Sequence, residues 1–103
     1  MNILISTLQE ELATVKRLEQ KYLRELTALP EGNFIVRQVR GGKYVYSNRR
    51  AGLKVVQKYV GKATEELVSQ CEAAAMRKRE LKEKLKSIRG QKKILERATR
   101  FIR

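Results

Sequence analysis

Eight basic side chains in one stretch carry the most pointed chemistry in this chain: Arg37, Arg40, Lys43, Arg49, Arg50, Lys54, Lys58 and Lys62. They fall within residues 32–62, a segment without a single acid. Lys supplies a compact point charge and Arg a planar fork of donors, and both suit phosphate oxygens. Unopposed like charges repel one another on folding, and a polyanion is the usual partner that relieves the strain. Solubility and protection of sheet edges would also be served by such charges. Solubility alone, however, does not require that every acid be excluded. Tyr44, Tyr46 and Tyr59 are interleaved with these cations, a pattern that also suits stacking on nucleic-acid bases.

The remainder of the chain is more balanced. Residues 1–31 hold four basic and five acidic side chains, and residues 63–103 hold twelve and six, within a total of +13. All 11 acids are Glu, and the chain lacks Asp, His and Trp. Without His and Asp, most hydrolytic triads, most metal sites and the commonest general base are out of reach. No catalytic residue, metal or cofactor is expected, and the chain reads as a non-enzyme. The one cysteine, Cys71, excludes an internal disulfide framework and fits a reducing compartment. The opening residues lack a basic segment ahead of an apolar core and soon reach Gln9-Glu10-Glu11, so no secretory signal is expected. No stretch reaches the roughly 20 apolar residues a bilayer needs, so a cytoplasmic, membrane-free setting is expected.

Three segments must position the cations. In the first, Met1, Ile5, Leu8, Leu12, Val15, Tyr22, Leu26 and Leu29 recur at spacings of four and three, with Glu19 the one interruption. That rhythm predicts a coiled-coil helix over residues 1–29, ended by Pro30, which disfavours helical geometry before it. In the second, Phe34–Val39, Lys43–Ser47 and Leu53–Val60 are short runs rich in Val, Ile and Tyr, separated by glycine-containing turns. They predict a basic three-stranded antiparallel meander over residues 33–61. In the third, Thr64 is a helix cap, with Glu65 and Glu66 where the helix dipole favours negative charge. The seam of this helix runs Leu67, Cys71, Ala74, Lys78, Leu81, Leu85, Ile88, Lys92, Leu95, Thr99, Ile102.

The expected fold is therefore α+β, a single domain. It is a long antiparallel helical hairpin, or coiled-coil stalk, with an inserted three-stranded antiparallel β-meander head. A meander leaves its sheet at the end opposite its entry. The helix over 64–102 must therefore pack along the sheet for about 17 residues at 1.5 Å each before it meets helix 1. Small residues early in that helix (Cys71, Ala73, Ala74, Ala75) suit the sheet, and Leu81, Leu85, Ile88 and Leu95 suit the helix pair. Seam residues Lys92 and Glu19 are candidates to meet across it, and Cys71 is expected to be buried.

Strand alternation sorts the head into two faces. One parity gathers Phe34, Val36, Tyr44, Tyr46, Val55 and Tyr59 and is free of charge apart from Arg40 at the turn. The other gathers Arg37, Lys43, Lys54 and Lys58, with Lys62 just beyond. The neutral face is expected to pack on the second helix, making the tyrosines core residues. The cationic face is expected to stay in water and contact phosphates.

The stretch Gly42-Lys43-Tyr44-Val45-Tyr46, with Arg50-Ala51-Gly52, Lys54 and Lys58-Tyr59-Val60-Gly61-Lys62, resembles a pattern in small bacterial and archaeal proteins of unknown function. In them a Gly-x-Tyr-x-Tyr strand and a Lys-Tyr-Ile-Gly-Lys strand lie between two helices; Val60 stands here in place of the isoleucine. The architecture is also similar to the arm-type DNA-binding domain of phage tyrosine recombinases, three strands followed by a helix. That likeness implies a sheet laid on DNA in a phage or mobile-element setting. The expected function is non-enzymatic nucleic-acid binding, with DNA favoured over RNA. The alternative is a coiled-coil interaction protein, such as a phage-encoded inhibitor docking on a nucleic-acid-handling enzyme. Ile94, Ala98 and Phe101 form a second apolar stripe that one partner helix cannot cover, so a homodimer through the stalk is a further expectation.

Overall fold

A computed structural model describes residues 3–102, the last without its side chain. The element order is α1 (Ile3–Ala28), β1 (Asn33–Val39), β2 (Gly42–Ala51), β3 (Lys54–Lys62) and α2 (Glu65–Ile102). Met1, at the start of the expected seam, and Arg103 lie outside the described residues, as does the side chain of Ile102. The chain divides into two compact units, one of residues 1–28 with 79–103 and one of residues 29–78. Helix α2 is continuous and contributes to both.

The helical unit follows the four-and-three rhythm closely. Val15, Leu81, Leu85 and Ile88 are buried, all at seam positions. Leu18 and Leu23, beside the strict seam, are half-buried. Glu19 is buried too, and its carboxylate accepts from Lys92 Nζ at 2.8 Å and Arg89 Nε at 3.1 Å. The expected Glu19–Lys92 meeting is thus present, with Arg89 as a second donor. Lys84 lies over the Tyr22 ring at 5.6 Å, so lower numbers on α1 face higher ones on α2, as an antiparallel pair requires. Buried Thr99 satisfies its hydroxyl by donating to the Leu95 carbonyl one turn back, at 2.7 Å.

The hydrogen bond from Lys92, with that of Arg89 and against the opposing effect of burial, holds the Glu19 carboxyl below its ordinary range. A depressed folded-state value stabilises the fold above the ordinary carboxylate range, and the contribution is lost as pH falls through that range and below. Thermal melts at about pH 3 and about pH 6 should therefore differ more for the native chain than for Glu19→Gln. An equal pH response in the two would contradict this.

In the sheet unit the strands run β1-β2-β3, each antiparallel to the next. The first turn, Arg40-Gly41, has positive φ at both positions (48° and 79°), the arrangement of a two-residue type I′ hairpin. The second, Gly52-Leu53, has positive φ at glycine alone (65°). Strand β2 is longer than expected: Asn48, Arg49, Arg50 and Ala51 pair with β3, and only Gly52-Leu53 turns. Leu53, expected to open the third strand, sits fully exposed in that turn. The Leu67 amide donates to Thr64 Oγ1 at 3.1 Å, so Thr64 caps α2 as expected.

Arginine at a left-handed φ is uncommon, and the conformation costs about 1–2 kcal/mol for a side chain of this kind. Asn-Gly is the preferred pair in this turn. Arg40→Asn is therefore expected to raise the melting temperature while removing one exposed cation. A lower melting temperature would contradict the assignment of strain.

Candidate nucleic-acid interface

The hairpin turns decide which side chains share a face. A two-residue loop places Val39 opposite Gly42, so β1 pairs Phe34 with Ser47, Val36 with Val45 and Arg37 with Tyr44. Directly opposed residues point the same way, so Phe34 and Val36 share a face with Val45 and Ser47. This corrects the expectation that they lie with the tyrosines. Between β2 and β3, Tyr46 pairs with Tyr59 and Asn48 with Gln57, while Ser47 pairs with Lys58 and Arg49 with Val56. Opposite Val45–Tyr46 the register shifts, leaving Val60 as an extra residue. The bulge sets Gly61 opposite Val45 and Lys62 opposite Tyr44.

Helix α2 covers the face that carries Phe34 and Val45. Val45 is 1 % exposed. A Cβ added to Gly61 would lie 3.1 Å from Leu67 Cδ2, so the helix approaches the strand closely where glycine removes the side chain. A cleft beside the helix is lined by Phe34, Lys58, Tyr59, Leu67, Cys71 and Ala74. Lys78 Nζ donates to the Gly32 carbonyl at 3.2 Å. Cys71 is half-buried, short of the burial expected for it, and desolvation pushes its thiol up from the ordinary value.

By register the tyrosines lie on the face opposite Val45, with Tyr44 and Tyr46 half-buried and Tyr59 exposed. This overturns their expected place in the core. Tyr59 is 55 % exposed, and its ring meets Tyr46 at 5.6 Å between centroids and Tyr44 at 6.3 Å. Both contacts are tilted, at 62° and 55°, so the rings do not cover one another as a parallel stack would. The Arg37 guanidinium lies over Tyr46 at 5.9 Å from the centroid. Gln57 Nε2 donates to Asn48 Oδ1 at 3.2 Å beside them. The Tyr44 hydroxyl reaches back over Gly42, where a Cβ would come within 2.8 Å of it. The physical reason for the reversal is solvation. Phe34 and Val45 have no polar group to leave in water, whereas each phenol does.

All eight sequence-designated cations are exposed, but they do not gather on one face. By register, Arg37, Arg50 and Lys62 belong to the tyrosine face, and Lys43, Arg49, Lys54 and Lys58 to the face that α2 covers in part. Arg40 stands at the turn. Arg49 also donates to Glu31 at 3.0 Å, so part of its charge is compensated locally. The expected single cationic face is replaced by cations around the whole sheet. What the sequence reading missed is that Tyr44, Tyr46 and Tyr59 gather with Asn48 and Gln57 on the face opposite Val45. The available signal was the two-residue loop at Arg40-Gly41, which makes odd positions of β1 face even positions of β2.

The family described as Domain of unknown function (DUF6788) matches residues 5–70. The chain belongs to this family. The DUF6788 match takes in α1 from Ile5, the whole sheet and the first turns of α2, so it includes every tyrosine and cation of the head. Neither the curated proteins nor the solved structures contain a match. Among the described residues no group of three His, Cys, Asp or Glu could hold a metal ion. No helix there is long and apolar enough to cross a membrane.

Proposed function

We propose that this protein binds nucleic acid without catalysing a reaction, using the cations of its β-meander to contact phosphates. One observation carries the reading: eight basic side chains, all exposed, surround a three-stranded sheet whose sequence segment contains no acid. Phosphate contacts position a protein on nucleic acid and make its affinity depend on salt. The likeness in architecture to the arm-type domain of phage tyrosine recombinases favours DNA over RNA and a phage or mobile-element setting, and the single cysteine fits a reducing, cytoplasmic compartment. A mobility-shift series across salt tests the proposal. With about five phosphates neutralised on duplex DNA, the log–log slope should be near −4.5. No binding to DNA or RNA at low salt would refute it.

A second reading rests on the helical unit. Ile94 and Phe101 are 69 % and 88 % exposed, although Thr99 at the seam between them is buried and Leu95 is half-buried. A second copy of the chain, or an enzyme that handles nucleic acid, would cover that stripe, with the basic head as an auxiliary element. Light scattering at moderate salt distinguishes the two occupants. A mass twice 12.0 kDa supports the homodimer, and a monomer leaves the stripe to a heterologous partner.

A further inference from the structure

We infer that the open face of the sheet is a stacking platform for the bases of single-stranded nucleic acid. The inference rests on the nucleic-acid reading above and names the strand form and the face that it uses. Duplex DNA hides the flat faces of its bases within the helix, so a protein that touches only its outside has no use for exposed rings. Single strands present those faces, and aromatic side chains beside cations bind them with little regard to sequence.

The open face brings these parts together. Tyr44, Tyr46 and Tyr59 form one tilted cluster across β2 and β3, with Tyr59 more than half exposed. Leaving Tyr59 more than half exposed, with Tyr44 and Tyr46 half-buried beside it, while Val45 and Phe34 serve the helix side, is costly unless something covers the cluster. Charge complementarity identifies the occupant. Arg37 lies over Tyr46, and Arg50 and Lys62 share the face by register, Lys62 directly opposite Tyr44. A polyanion with exposed flat bases satisfies rings and cations at once; an apolar protein surface would bury the cations unpaired. The Asn48–Gln57 pair adds amide groups with unused hydrogen-bonding capacity for base edges.

The bulge at Val60 makes the arrangement possible. One extra residue in β3 puts Gly61 against Leu67 on the helix side and turns Lys62 to the tyrosine side. Without it, the residue opposite Tyr44 would be Gly61, and the face would lose a cation at that position.

Tyrosine emission reads the contact directly, because the chain has four Tyr and no Trp. Tyr22, in the helical unit, is removed as background by Tyr22→Phe, so the remaining signal comes from the open face. Titrations would use a thymidylate 12-mer, a uridylate 12-mer and a 12-base-pair DNA duplex at equal salt. The expected results are quenching by the single strands, weaker binding of the duplex, and a loss of about 5- to 150-fold in single-strand affinity for Tyr59→Leu. Tyr59→Phe should keep single-strand affinity, which separates loss of the ring from loss of the fold. Duplex bound as tightly as single strand, with Tyr59→Leu silent, would overturn the inference and leave the nucleic-acid reading standing. No binding of any of the three probes would overturn both.

Discussion

Replacing Arg37, Arg50 and Lys62 together with Gln is expected to weaken binding to a single-stranded oligonucleotide by about 100-fold at about 0.1 M salt. Each phosphate contact contributes about 0.7 to the log–log salt slope on single strands, so three lost contacts reduce the slope by about 2. At about 0.1 M monovalent salt a slope change of that size corresponds to the stated loss. All three side chains are exposed and make no salt bridge among those seen, so the substitutions should leave folding intact. The matching triple on the other face, Lys43→Gln, Lys54→Gln and Lys58→Gln, removes the same charge. If both triples lose affinity equally, the cations act as a diffuse field around the sheet. If the first loses much more, the tyrosine face is where the strand lies. Equal and negligible losses would refute phosphate contact by the head.

Leu81→Ala is expected to cost about 2–5 kcal/mol, the range for emptying a fully buried leucine site. Leu81 is 0 % exposed, at the seam where α1 and α2 pack, and a hairpin of two helices has few other layers to close the cavity. Against a total stability of about 5–15 kcal/mol for a small protein, this is a large share. A fall in melting temperature of at least about 8 °C should follow. Met76→Ala, on the same helix but 61 % exposed, provides the contrast and should change stability by less than about 0.5 kcal/mol. Similar melts for the two variants would mean that the seam does not stabilise the fold as the burial indicates.

Much of the helical unit was legible in the chain because helix periodicity and helix ends are local signals. The residue before Pro30 cannot easily remain helical, and α1 ends at Ala28. The four-and-three rhythm marks one stripe of each helix, and Val15, Leu81, Leu85 and Ile88 are buried on those stripes. Even the polar interruption was informative. A Glu at a seam position needs a cation across the seam, and Lys92 was already placed at one, although Arg89 as the second donor was not foreseen. The α+β class and the order of the meander were read from the alternation of apolar runs and glycine turns.

The composition of the head was equally determined by sequence: eight cations, no acid, three tyrosines on alternating positions. Its orientation was not. Alternation assigns residues to two faces but says nothing about which one a helix will cover, and an error of one residue in register exchanges the faces of a whole strand. Three tertiary facts resolved this. The I′ turn at Arg40-Gly41 joins Phe34 to the face of Val45, the bulge at Val60 sends Gly61 and Lys62 to opposite sides, and Leu67 approaches where Gly61 has no side chain. Burial then favours the face of Phe34 and Val45, which have no polar group to leave in water, over the face of the phenols, which do. Sequence alone determined that rings and cations share this sheet; only the packing of α2 against the Val45 face decided that the rings lie on the other side, with Tyr59 exposed.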